Sequence, residues 1–365
     1  MIGLTWRSVV KWAAGLALAA MAVMPAQAAD DRRLVLVTLD GLDWTDVFRG
    51  ADPARAADRA FVHEPEDVQK RFLAPADRTM ALMPFLNGVV AKEGVLLGDR
   101  DHGSCFAVSN EMWFSYPGYN EILTGRPDPK VRSNEHGPNA NVTVLEWLNR
   151  QPGFKGKVQA VASWDHFEDI VNAPRSGVPV NDGWDDLPAG TPAEAKLAEF
   201  AREVPRLWAT VRLDAITHGY ALETLRKDKP RVLYISYGET DDFAHEGRYD
   251  LTLDAAHRTD AFLAELWKTL QADPAYRGKT TLIVTTDHGR GKGKPDAWKN
   301  HGKPVFEGSD ATWLAAIGPD VQAGARPDGC AYSAQIAATA LTALGLDWKA
   351  FDPAAGQPLA ILKGR

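Results

Sequence analysis

No long Ser/Gly/Pro-rich linker, internal repeat or low-complexity tract interrupts these 365 residues, which speaks against a string of separate modules or a repeat architecture. Nor is there a basic patch. The 41 Lys and Arg are outnumbered by 48 Asp and Glu, giving a formal charge of −7, so sequence-independent nucleic-acid binding is disfavoured. Cysteine is scarce: Cys105 and Cys330 either pair in an oxidising compartment or stay apart as buried thiols, and the sequence leaves both open. Beyond the N-terminus no apolar run is long enough to cross a bilayer. With 45% hydrophobic and 24% charged residues, the composition is otherwise that of a globular chain with ample material for a large core.

The N-terminus differs. Arg7 and Lys11 precede an apolar run over residues 12–24, followed by Pro25 and the triplet Ala26-Gln27-Ala28. A basic start, an apolar stretch of about 13 residues and a small-x-small site read as a secretory signal peptide spanning residues 1–28. The run falls short of the ~20 residues of a comfortable span, although an uncleaved anchor is the alternative. Cleavage after Ala28 removes Arg7 and Lys11, moves the formal charge from −7 to −9, and leaves residues 29–365 as one domain, periplasmic or secreted.

Residues 33–40, RLVLVTLD, form a β-branched and Leu-rich run that ends on Asp40 and Gly41, the pattern of a buried parallel strand. Similar runs occupy 158–163, 232–237 and 281–286, and a fifth at 312–317 is placed at an edge or closing the sheet. Helical patterns lie between them at 79–93, 119–123, 143–150, 192–225 (two helices), 251–271 and 333–344. This alternation predicts a doubly wound α/β fold, with a mostly parallel central sheet and helices on both faces. The Pro/Gly/Asp-rich stretch 172–192 reads as a long surface loop or small lobe near the site.

In such sheets the working residues gather at the carboxyl ends of strands. Asp40 ends the first. Asp241 and His245 follow the strand at 232–237, in ETDDFAHEG; Asp287 and His288 follow that at 281–286, in TTDHGRG; and His301 lies in WKNHG. Three carboxylates with three imidazoles suit zinc. Asp241 and His245 are one helical turn apart and share a face. Asp287 and His288 share a site only where the chain has left the sheet, which Gly289 permits. Each fragment alone is ordinary: a strand-end Asp is often a turn former, and D-x-x-x-H is often a solvated face. Their order and placement carry the reading. Of nine histidines, His63, His102, His136, His166, His218 and His257 are assigned to structure or surface. Ser115, in WFSYPGYNEILTG, precedes a Pro117-Gly118 turn and a helix beginning at Tyr119, at a helix entrance where backbone N–H groups face an incoming anion; the plain alternative is a capping serine.

These residues resemble the alkaline phosphatase superfamily, especially its nucleotide pyrophosphatase/phosphodiesterase branch. Ser115-Tyr116-Pro117 and Leu123-Thr124-Gly125 match the branch's T-F-P-N-H-Y-T-x-V-T-G stretch in register, and the order Asp, nucleophile, D-x-x-x-H, Asp-His, His matches from Asp40 to His301. The resemblance implies two divalent cations, zinc with manganese as the alternative. One would be held by Asp241, His245 and His301, the other by Asp40, Asp287, His288 and the Ser115 oxygen. It further implies hydrolysis of a phosphoric mono- or diester of a small molecule through a phosphoserine on Ser115. Departures are clear. Gly118 stands where the branch has Asn. The Asn that donates to the phosphoryl oxygen must be sought after His136-Gly137, where Asn139 or Asn141 can serve, and Asn141 is taken as the catalytic candidate. Tyr119 replaces the Arg of the sulfatase motif, which disfavours a sulfatase. Trp44, Trp113, Tyr116 and Tyr119 either stack on a leaving group or, more simply, pack in the core. Glu239, Asp242 and Glu246 border the cluster as partners of the ligands or as solvated charges.

Two other functions compete. A phosphotransferase or mutase needs a second polar subsite, and no dense Arg/Lys cluster stands beside the motifs in sequence. A non-catalytic periplasmic metal- or solute-binding protein would have no use for a serine at the nucleophile position.

Overall fold

The computed structural model describes residues 31–364, and the expected signal peptide lies outside the described residues. Among the described residues nine strands form two sheets: β1 (Arg33–Leu39), β2 (Val95–Leu97), β3 (Cys105–Ala107), β4 (Val158–Ala162), β5 (Val180–Asn181), β6 (Val232–Tyr237), β7 (Thr280–Thr285), β8 (Leu314–Ile317) and β9 (Cys330–Tyr332). The main sheet runs β2-β8-β7-β1-β6-β4-β5. β1 is central and parallel to both β6 and β7, while β8 lies antiparallel on β7 and β2 antiparallel on β8.

Complete burial explains why the central strands read as unbroken apolar runs. Val35, Val37 and Leu39 enter the core on one face of β1, and Leu34 and Leu36 that on the other. Each such side chain contributes about 1.5–3 kcal/mol on removal from water. Helices cover both faces: α1 (Trp44–Arg49), α3 (Asp214–Lys227) and α5 (Tyr249–Ala272) on one, α2 (Ser115–Thr124) and α6 (Ile336–Ala343) on the other. The expected doubly wound, mostly parallel sheet is the fold observed. No helix among the described residues is long and apolar enough to cross a membrane.

Local differences have physical causes. The stretch 172–192 is not only a loop, since Val180 and Asn181 pair with β4 and finish the sheet edge. The helix expected over 79–93 breaks at Met83-Pro84 into separate turns, because proline offers no N–H to continue it. α2 starts at Ser115, not Tyr119: Pro117 sits in its first turn, where the missing N–H would have had no partner within the helix. The two cysteines are bonded, Cys105 to Cys330, tying β3 to β9 in the second sheet.

Candidate metal centre and nucleophile

Three loops leave the carboxyl edge of β1, β6 and β7 and are knotted together by their own polar groups. The Gly41 N–H donates to Asp287 Oδ1 at 3.0 Å, Thr240 Oγ1 to the Asp40 carbonyl at 2.5 Å, and Arg290 Nε to the Gly41 carbonyl at 2.8 Å. Gly41 has φ +55°, and a Cβ there would stand 2.6 Å from both Arg290 Nη2 and Asp241 Oδ1, so only glycine lets the loops meet. Asp241 and His245 lie on α4 (Glu239–His245), whose start is capped by buried Asp214: its carboxylate accepts from Gly238 N at 2.8 Å and Glu239 N at 3.2 Å. Burial and neighbouring Glu239 push the Asp214 carboxyl up to about 8.

The structure brings together all six Asp and His residues read from the sequence, and Ser115 with them. His288 Nε2 lies 3.2 Å from Asp40 Oδ1, 3.5 Å from Asp287 Oδ2 and 3.8 Å from Asp241 Oδ1. Asp241 is also reached by His245 at 3.1 Å and His301 at 3.5 Å, and the Nε2 atoms of His245 and His301 approach to 3.0 Å. Ser115 Oγ is 3.5 Å from Asp40 Oδ1 and 3.3 Å from His288 Nε2. Among the described residues two groups have the spacing to hold an ion, Asp40/Asp287/His288 and Asp241/His288/His301. His288 stands between them.

The electrostatics are those of a site short of positive charge. Burial and the Asp40 carboxylate hold Asp287 well above the usual range. Burial alone would lower His288, yet Asp287 and Asp40 push it up to about 9. Asp241 is held well below the usual range: burial would raise it, but Arg290, His245 and His301 outweigh burial. Asp287 Oδ2 is buried without a conventional hydrogen-bond partner, a costly arrangement unless a cation faces it, whereas Asp241 Oδ1 is met by the Arg290 guanidinium.

Ser115 occupies the first turn of α2, all ten residues of which are buried. Gly118 must be glycine, for a Cβ there would lie 2.3 Å from the Asp287 carbonyl oxygen. Glu121, fully buried on the same helix, accepts from the backbone N–H of Ser109, Asn110 and Ala334, fixing the loop that leads to the nucleophile. Trp113, just ahead of Ser115, is held at φ +58°, a strained conformation of the kind that collects at functional sites.

Asn141 is not brought to Ser115. Its amide donates to Asn120 Oδ1 at 3.1 Å, five residues further along α2, and to Asp128 Oδ2 at 2.8 Å, beyond the helix end, and Asn139 is likewise bonded to Asn120 and Ile170. The asparagine beside the nucleophile is Asn134, whose Oδ1 accepts from Tyr116 N at 3.0 Å; its amide nitrogen has no protein acceptor among the described residues. Sequence reasoning also missed Arg290, 2.5 Å from Asp241 Oδ1, and the role of Tyr119, whose hydroxyl donates to Asp40 Oδ2 at 2.9 Å. Arg290 sits inside the TTDHGRG motif, two residues past His288, and that position was the available signal. Trp44, Tyr116 and Tyr119 are buried, in keeping with core packing, and Trp113 alone of the four remains partly open. Glu239 is buried against Arg258, Glu246 accepts from Trp208, and burial with Asp241 pushes Asp242 up to about 9.

The fold is that of the alkaline phosphatase-like α/β proteins. A protein of the alkaline phosphatase superfamily from Vibrio parahaemolyticus aligns with a TM-score of 0.55 at 15% identity, covering 90% of this chain and 71% of that one. A phosphonate monoester hydrolase from Silicibacter pomeroyi aligns at 0.53 and 14% identity, covering 90% and 76%. The C-terminal periplasmic domain of EptC from Escherichia coli, solved in complex with zinc, aligns at 0.53 and 11% identity, covering 90% and 87%. No curated protein matches at a significant level. The chain belongs to the type I phosphodiesterase / nucleotide pyrophosphatase family, whose model matches residues 106–322.

Proposed function

We propose that this protein is an exported two-metal phosphoesterase that hydrolyses phosphoric mono- or diesters of small molecules through a phosphoserine on Ser115. The single observation that carries the reading is the Ser115 hydroxyl on a helix N-terminus within 3.5 Å of Asp40 and His288, in a cluster of three carboxylates and three imidazoles. Family membership supports phosphoester chemistry.

The donor set fits a pair of divalent cations. The buried Asp287 Oδ2 lacks a conventional partner and two imidazole nitrogens face each other at 3.0 Å, contacts that cations would satisfy. In this reading Asp241, His245 and His301 hold one ion; Asp40, Asp287, His288 and Ser115 hold the other. When bound there, zinc or manganese offsets the carboxylate charge, favours ionisation of a nearby hydroxyl and withdraws charge from phosphoryl oxygens.

The chain's own residues do the rest. Ser115 Oγ attacks phosphorus, the ester oxygen departs with the bonding pair, and water then cleaves the phosphoserine to regenerate the hydroxyl. The α2 N-terminus favours the negative phosphoryl group, and the open Asn134 amide can donate to one of its oxygens. Tyr119 and Arg290 fix the carboxylates of Asp40 and Asp241, holding the acceptor geometry before substrate arrives. Export is supported by the leader sequence, by the disulfide, and by the periplasmic origin of the aligned EptC domain.

Ser115→Ala tests the reading. Metal content and fold should be retained while turnover of p-nitrophenyl phosphate esters falls by several orders of magnitude; unchanged turnover would remove Ser115 from the mechanism.

A further inference from the structure

Beside α1 lies a cavity of about 400 Å³, a volume typical of small-molecule sites. One wall is the segment 43–55 that follows Asp40; the other is 291–298, the chain between His288 and His301. Arg49, Arg55, Arg78, Lys292 and Lys294 line it, against the acidic Asp43 and Asp52. Sequence reading found no such cluster because its members are scattered from residue 49 to 294.

The partners of these groups decide what the cavity takes. Arg49 is neutralised by Asp101, in two contacts of 2.6 Å. Arg55 is different: its guanidinium lies over Tyr249 at 4.6 Å and Trp298 at 4.9 Å and makes no hydrogen bond among the described residues. Arg78 gives one bond, to the Ala51 carbonyl at 3.1 Å. Lys292 lies over the Trp44 ring at 4.5 Å, and neither it nor Lys294 has an ion-pair partner among the described residues. The two acids cap helices, Asp43 accepting from Thr45 N and Asp52 from Ala54 N and Arg55 N, and with buried Asp46 they remain close enough to attract Arg55 without bonding its guanidinium. Four cationic side chains therefore converge with donors to spare, two of them guanidinium forks suited to oxyanions.

We infer that this cavity is an oxyanion-binding pocket, distinct from the Ser115 centre, that holds a phosphate- or sulfate-type group. Its two walls begin three residues past Asp40 and three past His288, so one ligand bearing two anionic groups can address both places. As a specificity subsite the inference rests on the phosphoesterase reading; as a site for a free inorganic anion it does not.

Calorimetric titration of the metal-loaded protein with inorganic phosphate tests it, comparing wild type with Arg55→Gln and with the exposed pair Lys292→Glu/Lys294→Glu. Two binding events are expected in the wild type. In each variant the second should weaken by about 10- to 100-fold while competitive inhibition by phosphate at the Ser115 centre stays unchanged. Identical titrations for wild type and a folded lysine-pair variant would overturn the inference. The sources are told apart by KM: a rise of about 10-fold confined to an aryl phosphate ester carrying a remote second phosphate assigns the pocket to substrate, and unchanged KM values with the calorimetric loss assign it to the free anion. Phosphate binding in the pocket with no ester turnover would leave the pocket standing and end the phosphoesterase reading instead.

Discussion

Gly118→Ala sets two effects of opposite sign against each other. In an ordinary helix interior, alanine is better than glycine by about 0.8–1 kcal/mol. Here the added Cβ would stand 2.3 Å from the Asp287 carbonyl oxygen, 2.9 Å from its carbon and 3.1 Å from Asp287 Cβ. Neither backbone atom can rotate away, so α2 or the loop after β7 must move by roughly 1 Å to reach normal contact, and overpacking of that kind costs about 1–3 kcal/mol. Strain offsets or exceeds propensity, for a net loss of roughly 0–2 kcal/mol. The same shift separates Ser115 from Asp287 and His288, and a displacement of about 1 Å lowers turnover on the order of 100-fold. Denaturant unfolding and p-nitrophenyl phosphate turnover, measured on one preparation, check both numbers. An alanine variant more stable than wild type with unchanged turnover would refute the packing of α2 on Asp287.

Three further outcomes are expected. Asn134→Ala should lower kcat by about 10²–10³-fold at constant metal content, whereas Asn141→Ala should leave kcat near wild type and cost about 1 kcal/mol of stability through its bonds to Asn120 and Asp128; kinetics of the two variants side by side decide. Burial pushes the Asp182 carboxyl from 3.8 up to about 7. The folded state thus binds that proton more tightly than the unfolded chain, and this stabilisation, full below about pH 4, is lost as pH rises to about 7. Asp182→Asn should abolish that component of the unfolding free energy across pH 4–7, and parallel curves for the two proteins would contradict the assignment. Chelation should abolish turnover and lower the thermal midpoint, with zinc restoring both; activity that survives exhaustive chelation would remove the cations from the account.

β1, β6 and β7 announced themselves because strands buried on both faces need unbroken apolar runs, and Asp40, Asp241 and Asp287 could be placed at their carboxyl ends by position alone. β2 and β5, three and two residues long, carry too little pattern to see. Pro117-Gly118 looked like a turn because the sequence could not say that Gly118 faces the Asp287 backbone. Asn139 and Asn141 both follow His136-Gly137 in sequence, but the loop after α2 carries Asn134 to Tyr116 N and leaves Asn141 at Asn120. Arg290 and Tyr119 were hidden for the opposite reason: their roles depend on partners about 50 and 80 positions away, Asp241 and Asp40.

The most direct measurement is the mass of the protein after acid quenching during steady-state turnover of a phosphate ester. The account predicts a population heavier by one phosphoryl group, mapping to the peptide that contains Ser115 and missing from Ser115→Ala. A fully active enzyme that never carries that mass, or carries it on another residue, would contradict it.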